Sequence, residues 1–148
     1  MFARIAVSAA TYAIDKPYDY RIPEELLRTV QPGIRVFVPF GKGNRVTEGI
    51  VLSLSEESSY PDCKDIIRAA DSEPLISRKQ LRLALFMRER YFCTVYDAVK
   101  VMLPAGLWFD RTGRQKTRDK TREMVRLAIP SDEAAAFVEA RRAKAPQN

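Results

Sequence analysis

Few of the side chains that enzymes use for catalysis are present in this chain. It has no histidine among its 148 residues. That removes the commonest general base and the commonest transition-metal ligand. Neither a Ser-His-Asp nor a Cys-His arrangement can be assembled. The two cysteines, Cys63 and Cys93, stand alone, so count and spacing exclude a Cys-x-x-Cys metal pair and a disulfide framework. Gly41-Lys42 is like the end of a Walker A loop. However, Gly43 stands where Ser or Thr is required, and Val36 where the upstream glycine belongs. A phosphate-cradling loop of that type is therefore excluded.

What remains is the chemistry of recognition. In Pro17-Tyr18-Asp19-Tyr20, the proline stiffens the turn before an aromatic and an acid. An aromatic face can stack on any nucleobase, at about 1–3 kcal/mol per base. A carboxylate beside it can accept a hydrogen bond from a hydroxyl and repels a phosphate. The same spacing also fits strand aromatics in a core with an acid in the turn, and the residues alone leave both readings open. Gly41 opens a second candidate segment, Gly41-Lys42-Gly43-Asn44-Arg45. Lacking a Cβ, it permits a positive φ or close approach of a ligand, while a plain hairpin turn fits the same composition. Lys42 and Arg45 could meet phosphates there or simply be solvated.

The elements that must position these residues read as β first and α second. Short apolar runs occur at Ile5–Val7, Tyr18–Ile22, Arg35–Phe40, Gly49–Leu54 and Ile66–Ile67. Separated by Pro and Gly, they predict a small, partly closed sheet or barrel. Glu24–Thr29 allows one or two helical turns. Ser77 with Gln80 forms a capping box, and Leu81, Ala84, Leu85 and Met87 behind it predict the buried stripe of a helix. Thr94 caps a second helix through Leu103, with Val95, Ala98, Val99 and Met102 inward. Pro104 and Gly106 stop it.

The charge is uneven. The net charge is +6 and the isoelectric point about 9.5, which favours polyanionic partners. Residues 1–109 carry 15 basic and 13 acidic residues, whereas residues 110–148 carry 10 and 6. Arg111–Arg126 alone has seven basic and two acidic residues. It reads as a linker, or as an arm able to track a phosphate backbone. Trp108 and Phe109 before it suit docking of that linker on the domain, with stacking on DNA as the other reading. Met124–Ile129 alternates like a strand, and Ser131 caps a further helix running into Arg141, Arg142 and Lys144. No apolar run approaches the roughly 20 residues of a membrane span, and the N-terminus turns polar too soon for a signal peptide. With isolated cysteines, this predicts a cytoplasmic protein with no membrane partner.

Six segments, in order, resemble the start of the PriA family of bacterial replication-restart helicases. They are Pro17-Tyr18-Asp19-Tyr20, Gly33–Gly41, Gly49-Ile50-Val51, Asp71-Ser72-Glu73-Pro74-Leu75, Arg90-Tyr91-Phe92 and Leu103-Pro104-Ala105-Gly106. The Val38-Pro39-Phe40-Gly41 run is the most specific. Three positions depart from the family's pattern: Tyr18 where Phe is usual, Tyr91-Phe92 where two Tyr are frequent, and Tyr96 where Gly is common. The resemblance implies a domain that captures the 3′ end of a nascent strand at a stalled fork. It assigns Tyr18 to stacking on the terminal base and Asp19 to accepting a hydrogen bond from the 3′-hydroxyl. Gly41 would allow close approach, and Lys64 would place a point charge on the last phosphate. Tyr20 stays a core residue.

The resemblance further implies a winged-helix domain and two helicase lobes with a zinc site. ATP and zinc would belong to those lobes, leaving this chain without a cofactor and without catalysis of its own. The expected architecture is α+β, a β-rich partly closed sheet or barrel followed by two packed helices. Residues 1–106 would form the DNA-binding domain. Residues 107–148 would form the basic linker and an incomplete winged-helix start. The expected partner is DNA with a 3′ end, forked or single-stranded, with other primosome or single-stranded-DNA-binding proteins as further partners. The alternative is a protein-interaction module that docks a replication partner through exposed aromatics, with the basic tail as tether.

Overall fold

The computed structural model describes residues 1–58, 60–104, 107 and 130–142. Five antiparallel strands form one sheet: β1 (Phe2–Val7), β2 (Tyr18–Arg21), β3 (Arg35–Phe40), β4 (Arg45–Ser55) and β5 (Arg68–Ala69). Their order is β2-β1-β4-β3-β5. The longest strand, β4, takes the centre, between β1 and β3. Its first half pairs with β3 and its second half with β1. The sheet is open rather than a closed barrel, but its edges approach each other at one point. The Arg21 N–H of β2 donates to the Lys64 carbonyl at 2.8 Å, and the Ile66 N–H donates to the Arg21 carbonyl at 3.0 Å. The α+β class expected from the sequence is the one observed.

Side-chain alternation divides the apolar residues between two cores. Ala3, Ile5, Val7, Tyr20, Val36, Val38 and Val51 pack on one face with Ile22, Ile34 and Ile66 from the connections. Ala6 and Ile50 point to the other face and meet the helices α1 (Arg78–Arg90) and α2 (Val95–Val101). Both helices start where capping chemistry places them. The Gln80 N–H donates to Ser77 Oγ at 3.3 Å and the Ser77 N–H to Gln80 Oε1 at 2.9 Å. The Asp97 N–H donates to Thr94 Oγ1 at 3.0 Å. Leu81, Ala84, Val95, Ala98 and Val99 are buried as expected, and Met87 and Met102 are half-buried. Leu85 is not core: it is exposed. Helix α1 rests chiefly on α2, and a single neighbouring helix covers a narrower strip than the full apolar stripe.

One buried acid ties this helical layer to the segment leading into β2. The Asp15 carboxylate accepts from the Val95 N–H at 3.0 Å and from Arg88 Nε at 3.3 Å. The turn before Tyr18 is thereby anchored to the start of α2 and the end of α1.

A second buried network surrounds Arg35, which is 2% exposed. Its Nε and Nη2 grip Asp71 at 2.9 and 2.6 Å, a bidentate pair. Its Nη1 donates to Glu48 at 3.4 Å and also to the Leu107 carbonyl. Burial pushes the Glu48 carboxyl above its usual range, against the opposing pull of Arg35. The Tyr96 phenol, buried against Glu48, is pushed up as well. Burial opposes the charge on Arg35, and its two carboxylate partners more than offset that penalty.

The chain divides into two compact units, residues 1–117 and 118–148. Within the second, helix α3 spans Ser131–Arg142. The Ala134 N–H donates to the Pro130 carbonyl at 3.0 Å, so the helix begins one residue earlier than a Ser131 cap would have it. The basic stretch Arg111–Arg126, the strand expected at Met124–Ile129, and Trp108 and Phe109 lie outside the described residues. Among the described residues, no helix is long and apolar enough to cross a membrane.

Candidate nucleic-acid interface

The near-meeting of the sheet's edges creates a cleft of about 380 Å3. Its walls are β2, the end of β3 with the following turn, and the segment around residues 60–64. That volume lies at the small end of the roughly 300–1,000 Å3 of ligand pockets. Strand β2 contributes Tyr18, Asp19 and Tyr20, and β3 contributes Pro39 and Phe40. The Tyr18 ring packs edge-on against Phe40, with centroids 5.1 Å apart and planes at 81°. Its hydroxyl donates to the Ile14 carbonyl at 2.7 Å. Both contacts fix the ring while leaving it half-buried. Tyr20 is core, 3% exposed, with its hydroxyl donating to the Pro39 carbonyl at 3.1 Å. Burial pushes its phenol up to about 12.

Asp19 lies opposite Arg4 in the β1–β2 register. Arg4 Nε stands 3.5 Å from one carboxylate oxygen, and Ser58 Oγ donates to the other at 3.1 Å. The Asp19 side chain is only 6% exposed. The acid is thus held in one orientation at the cleft wall by a neighbouring strand and a loop.

Gly41 has a φ of +72°, and a Cβ there would meet nothing within 4 Å. The left-handed backbone, rather than crowding, demands glycine, and open space lies beside it. The Lys64 ammonium donates to the Gly41 carbonyl at 2.7 Å. Of the six residues singled out in the sequence, Tyr18, Asp19, Gly41 and Lys64 line the cleft together. Lys42 and Arg45 do not; they are exposed on the β3–β4 turn and at the start of β4.

Four further lining residues were not singled out in the sequence: Lys16, Tyr60, Asp62 and Cys63. Lys16 precedes the Pro17-Tyr18 motif and could have been read with it. Tyr60 sits in a Ser-rich loop with no periodicity to flag it. The Lys16 ammonium donates to the Tyr60 hydroxyl at 3.2 Å, and that contact pushes it above its ordinary pKa. Among the described residues, no cluster of three His, Cys, Asp or Glu side chains could hold a metal ion.

The family model of a 3′DNA-binding domain matches residues 4–104. The chain belongs to the PriA 3′DNA-binding domain family. It is 32% identical over 108 residues to the replication restart protein PriA of Bacillus subtilis, covering 72% of this chain and 13% of the relative. It is 30% identical over 123 residues to the probable replication restart protein PriA of Mycobacterium tuberculosis, covering 82% and 18%. With the replication restart protein PriA of Treponema pallidum it shares 33% over 99 residues, covering 62% and 15%. The chain therefore spans less than a fifth of the length of these PriA relatives.

The PriA-like motifs divide into two physical roles. Gly33, Arg35 and Asp71 are structural. Gly33 has a φ of +94°, and a Cβ there would fall 2.1 Å from the Ile76 carbonyl oxygen. Tyr18, Asp19 and Gly41 instead face the cleft.

Proposed function

We propose that this domain captures the 3′ end of a DNA strand, the nascent strand at stalled or branched replication forks, as part of a replication-restart protein. The observation that carries this reading is the convergence of Tyr18, Asp19, Gly41 and Lys64 on one cleft. These residues lie up to 46 positions apart, and each supplies a different part of a nucleotide terminus. Tyr18 offers a fixed aromatic face for the terminal base, indifferent to its identity. Asp19 accepts a hydrogen bond from the 3′-hydroxyl, whose proton makes that bond possible. An internal nucleotide has no such proton, and its next phosphate would meet the carboxylate's charge. The open side of Gly41 admits the sugar, and Lys64 places an ammonium beside the last phosphate. Lys42 and Arg45, outside the cleft, add contacts to the strand beyond it. In this reading the helicase activity, ATP and zinc of a full-length protein belong to other domains.

A circular single strand has no end. A linear strand of the same sequence is expected to bind at least about tenfold more tightly, the factor set by 1.4 kcal/mol. Equal affinity in a competition titration would leave only generic electrostatic binding. A protein-docking role draws support from Phe92, which is 94% exposed, its ring tilted against that of Tyr12 with centroids 4.8 Å apart. A docking module would not distinguish the two strands.

Residues 107–148 are read here as a basic linker and the start of a winged-helix domain. Removing residues 110–148 is expected to weaken DNA binding and flatten its salt dependence. Each lost phosphate contact lowers the single-strand slope by about 0.7. The preference for a 3′ end should survive. Loss of that preference would place the arm in the site itself.

A further inference from the structure

The cleft has two lysines, and only Lys64 has a part in the terminal site. Between described residues, ion pairs join Arg4, Arg21, Arg35 and Arg88 to carboxylates. Neither cleft lysine is among them. Each instead donates to an uncharged oxygen, Lys64 to the Gly41 carbonyl and Lys16 to the Tyr60 hydroxyl. Among the described residues, no salt bridge cancels their charges. Lys16 also sits near two aromatic faces, 5.7 Å from the Tyr18 centroid and 5.4 Å from that of Tyr60. Tyr60 is half exposed, at 50%. A cation beside a solvent-facing aromatic, both lining one cleft, is the pairing that single-strand binding sites use.

We propose that Lys16 and Tyr60 form a second subsite for the penultimate nucleotide, Tyr60 stacking on its base and Lys16 meeting its 5′ phosphate. This rests on the terminal-nucleotide reading above and extends it. Lys16 and Tyr60 line the same cleft as the terminal-site residues, so a strand whose end is seated against Tyr18 would bring its next nucleotide to them. The cation–π and hydroxyl contacts hold the Lys16 ammonium in place before the strand arrives. That lowers the ordering cost of the contact. The site would therefore read an end two nucleotides deep, without base specificity at either position.

The test uses oligonucleotides carrying a neutral methylphosphonate at a single linkage, titrated against the full chain and its Lys16→Met variant. In the wild type, neutralising the phosphate 5′ of the penultimate nucleotide should weaken binding about threefold, the size of an exposed ion pair. Lys16→Met should lose the same factor on unmodified DNA and be insensitive to that substitution. It should remain sensitive to neutralisation of the last linkage and keep the 3′-hydroxyl preference. Tyr60→Ala should bind a strand with an abasic penultimate position as well as the wild type does. The subsite is refuted if Lys16→Met responds to the neutral penultimate linkage as the wild type does. It is equally refuted if the variant loses the 3′-hydroxyl preference, because Lys16 would then belong to the terminal site. Failure of the underlying reading shows separately, as wild-type protein binding 3′-phosphate and 3′-hydroxyl strands alike.

Discussion

Arg35→Ala is expected to destabilise the domain by about 3–5 kcal/mol, the cost of breaking a buried ion pair from one side. Arg35 is 2% exposed and holds Asp71 through two hydrogen bonds, with Glu48 and the Leu107 carbonyl on its remaining nitrogen. Removing it leaves two carboxylates in a site that already pushes Glu48 toward its neutral form. A domain of this size has about 5–15 kcal/mol in all, so the variant should melt far earlier and be partly unfolded when warm. Arg35→Lys should recover only part of the loss, because an ammonium cannot reproduce the fork that meets Asp71. Thermal and urea unfolding followed by circular dichroism measure both. A basic residue in a motif of a DNA-binding family invites another reading, direct contact with phosphate. That reading requires an unchanged melt with weakened binding. The opposite pattern is expected: an early melt, and intact 3′-end preference in whatever fraction remains folded at low temperature.

Asp19→Ala is expected to weaken binding to 3′-hydroxyl DNA by roughly tenfold, from loss of a charge-assisted hydrogen bond worth about 1.5–3 kcal/mol less some relief of repulsion. The geometry of Asp19 makes the sign informative. Its carboxylate pairs with Arg4, whose side chain is 50% exposed. Removing the acid deletes a negative charge and releases a positive one at the same spot. If the domain bound DNA only through its net positive field, the variant should bind every DNA more tightly. On DNA ending in a 3′-phosphate that is the expected result, no change or a small gain. On 3′-hydroxyl DNA the expected change runs the other way. A melting curve on the variant separates this from a folding defect, since Ser58 and Arg4 both lose a partner.

The parts of this molecule that were legible in the sequence are the parts governed by neighbours in the chain. The capping box at Ser77 and Gln80, the Thr94 cap and the bounds of β3 all follow from interactions within a few residues. Strand β4 was legible only from Gly49. Its first residues, Arg45–Thr47, are exposed or half-buried and carry no alternation to reveal them. The apolar period of α1 gave Leu81 and Ala84 correctly but not Leu85, because period says which face is apolar and not how wide a strip its neighbour covers. The Arg35 network was not legible. Arg35 and Asp71 lie 36 residues apart, and nothing in composition joins them.

The candidate site was legible in part for the same reason. Tyr18, Asp19 and Gly41 fall inside dense motifs, and Lys64 came only from the family resemblance. Lys16 and Tyr60 reach the cleft because the Pro17 turn and the loop after β4 fold against each other, a tertiary event without a local signal. Lys42 and Arg45 were singled out for proximity in sequence to Gly41. Lys42 is exposed on the hairpin turn, and Arg45 is exposed at the start of β4 opposite Phe40, so neither lines the cleft.

The most direct test of the account is a titration of the unmodified protein against two oligonucleotides identical except at one terminus, a 3′-hydroxyl in one and a 3′-phosphate in the other. Fluorescence anisotropy at moderate salt keeps the generic electrostatic contribution small, and the extra charge of the 3′-phosphate would by itself favour that strand. The 3′-hydroxyl strand should bind about tenfold or more tightly, a difference of at least roughly 1.4 kcal/mol, and changing the terminal base should matter little. Equal affinity for the two ends, or tighter binding of the 3′-phosphate, would contradict the claim that Asp19 reads the terminal hydroxyl.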